Sequence, residues 1–160
     1  MINLRRVFFL LPLVFLAFSC DDDVNDIVDD DNDDDDNSVN VVQMTVGNTG
    51  ASSYFVSNIT GNEEVTTLNA DNSSWELTVG TRYVITVTGA SAHPFALRDS
   101  DNALLLTMNS ATGTFESDAD VDFEADDSTI RFTLTQELAD QLDNYVCTLH
   151  ASMTGSVTVK

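Results

Sequence analysis

Cys147, His150 and Met153 stand at C-x2-H-x2-M spacing inside YVCTLHASMTG, residues 145–155. Of the chain's two cysteines, the other is Cys20, beside an N-terminal export leader and far from Cys147 along the chain. Cys147 therefore lacks a disulfide partner in a compartment where disulfides normally form. An odd cysteine there is a reactive thiol, an intermolecular link or a metal ligand. The neighbours select the third. A strand ending at Cys147 and a turn leading to Gly155 gather a thiol, an imidazole and a thioether around one point. Two sulfurs and an imidazole suit copper, whereas zinc seldom takes methionine.

A further ligand is needed, and the chain has two histidines. The second, His93, lies in GASAHPFALRD, after the alternating run Tyr83–Thr88 and its turn. Pro94 biases His93 towards extended backbone. In a sandwich, the loop after that strand meets the loop after Cys147 at one end. The result is a trigonal set of His93, Cys147 and His150 with Met153 as a weak axial ligand, the donor pattern of copper electron-transfer sites. A Cys/His nucleophilic site needs an oxyanion arrangement or a triad, and no such pattern is present. GxSxG, P-loop, GxGxxG and CxxCH motifs are also missing from the sequence, so hydrolase, nucleotide and haem readings lack support.

These residues need a scaffold. Apolar residues alternate with polar ones at Val42/Met44/Val46, Trp75/Leu77/Val79, Tyr83/Ile85/Val87, Val121/Phe123/Ala125, Ile130/Phe132/Leu134 and Val157/Val159. Period-2 runs mark strands with one buried face. Turn signals separate them at GNTG 47–50, TGN 60–62, NADNSS 69–74, VGT 79–81 and NSATG 109–113. About seven to nine short strands with this spacing predict an all-β, antiparallel β-sandwich. In TQELADQLDN, residues 135–144, Leu138, Ala139 and Leu142 share a helical face and Thr135 can cap it. One short helix is expected there, directly before the strand carrying Cys147. Asp120, Asp122 and Glu124 alternate with apolar residues and are expected on the solvated face of a strand, where they discourage edge pairing.

Arg5 and Arg6 precede an apolar run from Val7 to Phe18, a secretory leader too short to span a membrane. LAFSC resembles a bacterial lipobox, with Leu16 one position early and Phe18 bulkier than usual. That resemblance implies a signal peptide over 1–19 and a lipidated Cys20. Residues 21–37 hold 11 aspartates. Like charges keep such a run extended, to about 60 Å at about 3.5 Å per residue. The expected arrangement is an acidic tether over 20–37 and a folded domain over 38–160. The run also resembles surface-export signals of some Gram-negative lipoproteins, implying an outer-membrane anchor, facing outward or to the periplasm. Neither this run nor DADVDFEADD at 118–127 has the glycine turn of an EF-hand calcium loop. The domain carries 16 acids against Arg82, Arg98, Arg131 and Lys160, a formal charge of −12. Nucleic acid is excluded as a partner by repulsion, and a basic protein is permitted.

YVCTLHASMTGSVTV resembles the C-terminal copper loop of the cupredoxins, the type 1 blue copper domains, with the tight ligand spacing of the amicyanin-like members. The segment from Tyr83 to Val159 also resembles bacterial type 1 copper domains with an HPF motif at the first histidine. The resemblance implies a Greek-key β-sandwich with one copper at its end, cycling between Cu(I) and Cu(II) as a non-enzymatic, monomeric one-electron carrier. His93, Cys147, His150 and Met153 match the ligands. Many family members have asparagine after the first histidine, which ties the two ligand loops together. Here Pro94 has no N–H to offer the thiolate, leaving the Leu149 N–H as the remaining backbone donor. His150, beside Leu149, Ala151 and Ser152, is the implied electron edge and docking patch for a redox partner such as a basic cytochrome. Two other functions use the same scaffold: copper delivery or sequestration in the envelope, and a surface module that binds no metal.

Overall fold

The computed structural model describes residues 39–108 and 112–160. The expected leader, Cys20 with its expected lipid and the expected acidic tether fall outside the described residues, as do residues 109–111 of the NSATG turn. In chain order the elements are β1 (Val41–Asn48), β2 (Tyr54–Thr60), β3 (Trp75–Leu77), β4 (Arg82–Val87), β5 (Phe95–Arg98), β6 (Leu104–Thr107), β7 (Glu124–Ala125), β8 (Thr129–Thr133), α1 (Gln136–Ala139), β9 (Asn144–Cys147) and β10 (Thr154–Val159).

The strands form two five-stranded sheets, ordered β2-β1-β4-β8-β7 and β3-β10-β9-β5-β6. The predicted sandwich is present, with one correction. The sheets are mixed: β1 runs parallel to β4, and β3 runs parallel to β10. Alternation could not report this, because side chains alternate with period 2 in either pairing direction. The parallel pairs arise where the chain leaves one sheet and returns to it after visiting the other. From β2 it crosses to β3, then comes back as β4 alongside β1.

Alternating inward residues fill the space between the sheets. Val42, Met44, Val46, Tyr83, Ile85, Val87, Ile130 and Phe132 come from one, and Trp75, Leu77, Phe95, Leu97, Tyr145 and Val157 from the other; all are buried. Trp75 stacks on Tyr145 and Phe95, with ring centroids 4.2 and 5.6 Å apart. Gly155 permits this packing, since a Cβ there would fall on the Tyr145 ring and hydroxyl. Helix α1 is capped as expected: the Thr135 hydroxyl accepts from the Leu138 N–H. Leu138 and Ala139 are buried beneath it.

The strand expected over 121–125 is shortened to Glu124–Ala125. Asp122 adopts a left-handed φ of 47°, a conformation aspartate tolerates better than most residues. Its carboxylate and that of Glu124 turn to Arg82, at 2.9 and 3.8 Å. Asp120, Asp122 and Glu124 are exposed as expected, and the last two pair with Arg82. Val79, expected to continue β3, lies just beyond it and packs on the core edge.

Candidate metal centre

His93, Cys147 and His150 lie at one end of the sandwich, and their ligand atoms are all within 4.8 Å of one another. Local hydrogen bonding explains the convergence. After β4 the chain turns at Gly89, whose φ is 72°. The Ala92 and His93 N–H groups both donate to the Gly89 carbonyl, at 3.0 Å each. β5 then starts beside β9, pairing Phe95 with Cys147. This register sets the first histidine next to the cysteine.

The other loop is closed by its own backbone. The Cys147 N–H donates to the Met153 carbonyl at 2.9 Å, and the Met153 N–H donates to the His150 carbonyl at 3.0 Å. His150 is therefore held back over the strand end that carries Cys147. Cys147 and Met153 are buried, at 1% and 0% exposure, and both histidines are half-buried. Met153 thus sits at the loop base, beside Cys147 in the backbone pairing.

The two imidazoles face each other through Nδ1, 3.2 Å apart, with ring centroids 4.9 Å apart and tilted by 43°. The Cys147 Sγ lies 3.5 Å from the His150 Nδ1. These spacings fit a shared ion. Two imidazole bonds of about 2.0–2.1 Å span the first separation at an angle of about 100°, and one such bond with a thiolate bond of about 2.3 Å spans the second at about 107°. Among the described residues, Cys147 is a free thiol. A soft sulfur with two nitrogens is a donor set for copper or zinc, and the neighbouring thioether favours copper.

The structure brings His93, Cys147 and His150 together and surrounds them with groups that the sequence did not point to. The Tyr54 hydroxyl donates to the His93 carbonyl at 2.7 Å. Tyr54 is fully buried, and burial raises its pKa above the ordinary tyrosine value, with the nearby Cys147 sulfur adding to the rise. The Asn72 amide donates to the Ser152 carbonyl at 2.9 Å, and the Ser152 hydroxyl donates to the Ala51 carbonyl at 2.8 Å. The loops are also joined directly: the Thr148 N–H donates to the Pro94 carbonyl at 2.9 Å. Pro94 offers no donor, yet its acceptor ties the two ligand loops. Leu149 is 64% exposed at the tip of the second loop. No sequence spacing links Tyr54 or Asn72 to Cys147; NADNSS gave only a turn signal.

No family model and no curated protein matches the chain. Among solved structures, it is similar to the copper protein rusticyanin at 14% identity and a TM-score of 0.44, covering 76% of this chain and 78% of that one. A structure of rusticyanin from Thiobacillus ferrooxidans gives 13% identity and a TM-score of 0.41 over the same shares. At these values the likeness bears on neither ligand nor activity, and the chemistry of the site rests on its donors. The centre is a His-Cys-His group, built at one end of a β-sandwich, that can hold a metal ion.

Proposed function

We propose that this chain is a type 1 copper protein that carries single electrons in the cell envelope. One observation carries the reading: two imidazoles and a buried thiol offer ligand atoms within 4.8 Å of one another, with a buried methionine closing the same loop. His93, Cys147 and His150 would hold the ion, with the Met153 thioether as a further weak donor. Copper bound there supplies one-electron chemistry.

The chain's own residues do the rest. Backbone bonds from Cys147 to Met153 and from Thr148 to Pro94 fix the donor positions before any ion arrives. A preset donor cage limits ligand movement between two oxidation states. Buried Cys147 and Met153 exclude water from the sulfur side. His150 and the exposed Leu149 lie in one loop, giving an apolar contact beside the centre. The domain's charge of −12 favours a basic partner and faster encounter with it. The leader and the lipobox resemblance support an envelope location with a lipid anchor.

The test is a redox titration of the copper-loaded chain, followed by challenge with a Cu(I) chelator. A reversible one-electron couple with slow loss of copper supports the carrier. Rapid release of Cu(I) would mean copper handling instead, and absence of a couple would refute the proposal.

A further inference from the structure

Pro94 offers no N–H to the Cys147 thiolate. Tyr54 stands beside the same turn. Its ring packs against Phe95 and Tyr145, with centroids 5.9 and 6.4 Å away. Its hydroxyl donates to the His93 carbonyl at 2.7 Å and lies near the Cys147 sulfur. Its one proton is held by the first loop and gains a second acceptor nearby once Cys147 ionises.

Tyr54 is itself pinned on both sides of its backbone. Its N–H donates to the Asn72 Oδ1 at 3.1 Å, and its carbonyl accepts from the Asn72 N–H at 2.7 Å. Asn72 holds a left-handed φ of 49°, which turns its amide towards the second ligand loop. A fixed tyrosine thus joins the His93 turn to the Cys147 end of β9, and Asn72 joins the tyrosine to Ser152.

We infer that Tyr54 is a positioning residue for the metal centre: its hydroxyl fixes the His93 turn and is the donor that the Cys147 thiolate draws on when an ion is bound. This rests on the functional reading above. Hydrogen bonding to a coordinating sulfur lowers the energy of its electrons, so losing the donor shifts the thiolate-to-copper band to lower energy.

The test is Tyr54→Phe, which keeps the ring and removes the hydroxyl. In the metal-free chain, amide exchange at Ala92 and His93 should rise about 5–10-fold, the worth of one hydrogen bond. In the copper-loaded chain, the band should move to lower energy and Cu(I) affinity should fall about 10–100-fold, the usual effect of losing a partner behind a ligand. Site-specific 3-fluorotyrosine at position 54, a stronger donor of the same shape, should move the band the other way and covers a Tyr54→Phe chain that fails to fold. Unchanged exchange overturns the inference. Changed exchange with unchanged band and affinity reduces Tyr54 to a packing role and also overturns it. A wild-type chain without any thiolate–copper band refutes the functional reading, and amide exchange alone then decides whether Tyr54 holds the turn.

Discussion

Glu63 offers a test of how the sandwich is held together away from the metal. Its carboxylate accepts four hydrogen bonds. Asn40 Nδ2 and Thr81 Oγ1 donate to one oxygen at 2.7 and 2.9 Å; Thr78 Oγ1 and the Tyr83 hydroxyl donate to the other at 2.8 and 3.2 Å. Thr81 and Tyr83 are buried, at 2% and 0% exposure, so their hydroxyls depend on this acceptor. Burial pushes the Glu63 pKa up, but the three hydroxyl donors outweigh it and hold the group below its ordinary value near 4.5. The Tyr83 phenol is correspondingly pushed up to about 12, first by burial and then by the Glu63 charge.

Glu63→Gln removes the charge and turns an NH2 towards two of the four donors, whichever way the amide lies. Rotation of the threonine hydroxyls recovers part of the loss, and the site is half-open to water. The expected destabilisation is about 1–3 kcal/mol at pH 7, the range for hydrogen bonds to a charged group. At a urea slope of about 2 kcal/mol/M, the unfolding midpoint falls by about 0.5–1.5 M. The pH dependence follows from the direction of the shift. A carboxylate with a lowered folded pKa contributes stability that is present above its unfolded value and is lost as pH falls through the folded one. The wild-type and Glu63→Gln midpoints should therefore differ at pH 7 and converge as pH drops below about 4.5. Arg82 begins β4 beside this cluster, while His93 follows its other end, so the spectrum of the metal centre should not change. A gap that is equal at pH 7 and pH 3, or missing at pH 7, would mean that the Glu63 charge does not hold these donors.

Gly155→Ala should destabilise the chain by about 1–3 kcal/mol, because its Cβ meets the Tyr145 ring; urea unfolding measures this. Thr135→Ala should cost about 1 kcal/mol through loss of the α1 cap, again read from the midpoint, with no change in copper affinity. Metal loading should raise thermal stability, by about 2.7 kcal/mol at a free-ion concentration 100 times the Kd, and a chelator should reverse it. Loading should also release protons into weak buffer, since the thiol must ionise to bind.

The sandwich was legible because its strands alternate cleanly at Val42–Val46, Tyr83–Val87 and Ile130–Phe132. The runs at Phe95–Arg98 and Leu104–Thr107 did not show as strands: Phe95, Ala96 and Leu97 are consecutively buried, as are Leu105 and Leu106, and a doubly buried strand has no period-2 signature. The direction of pairing was invisible for the same periodic reason. The grouping of His93, Cys147 and His150 was readable from residue type and spacing. Tyr54 and Asn72 were not, because they act through long-range contacts with carbonyls that carry no residue signature. The strand predicted from Val121 begins only at Glu124, because Asp122 takes a left-handed φ, and its contact with the distant Arg82 is not reported by local alternation.

Copper ligation by Cys147 is decided by a visible absorption spectrum of the Cu(II)-loaded chain beside Cys147→Ala. A type 1 site gives an intense thiolate-to-copper band towards the red end in the wild type, and the variant loses it. A wild-type chain that takes up Cu(II) without that band, or a band that survives Cys147→Ala, would contradict that ligation.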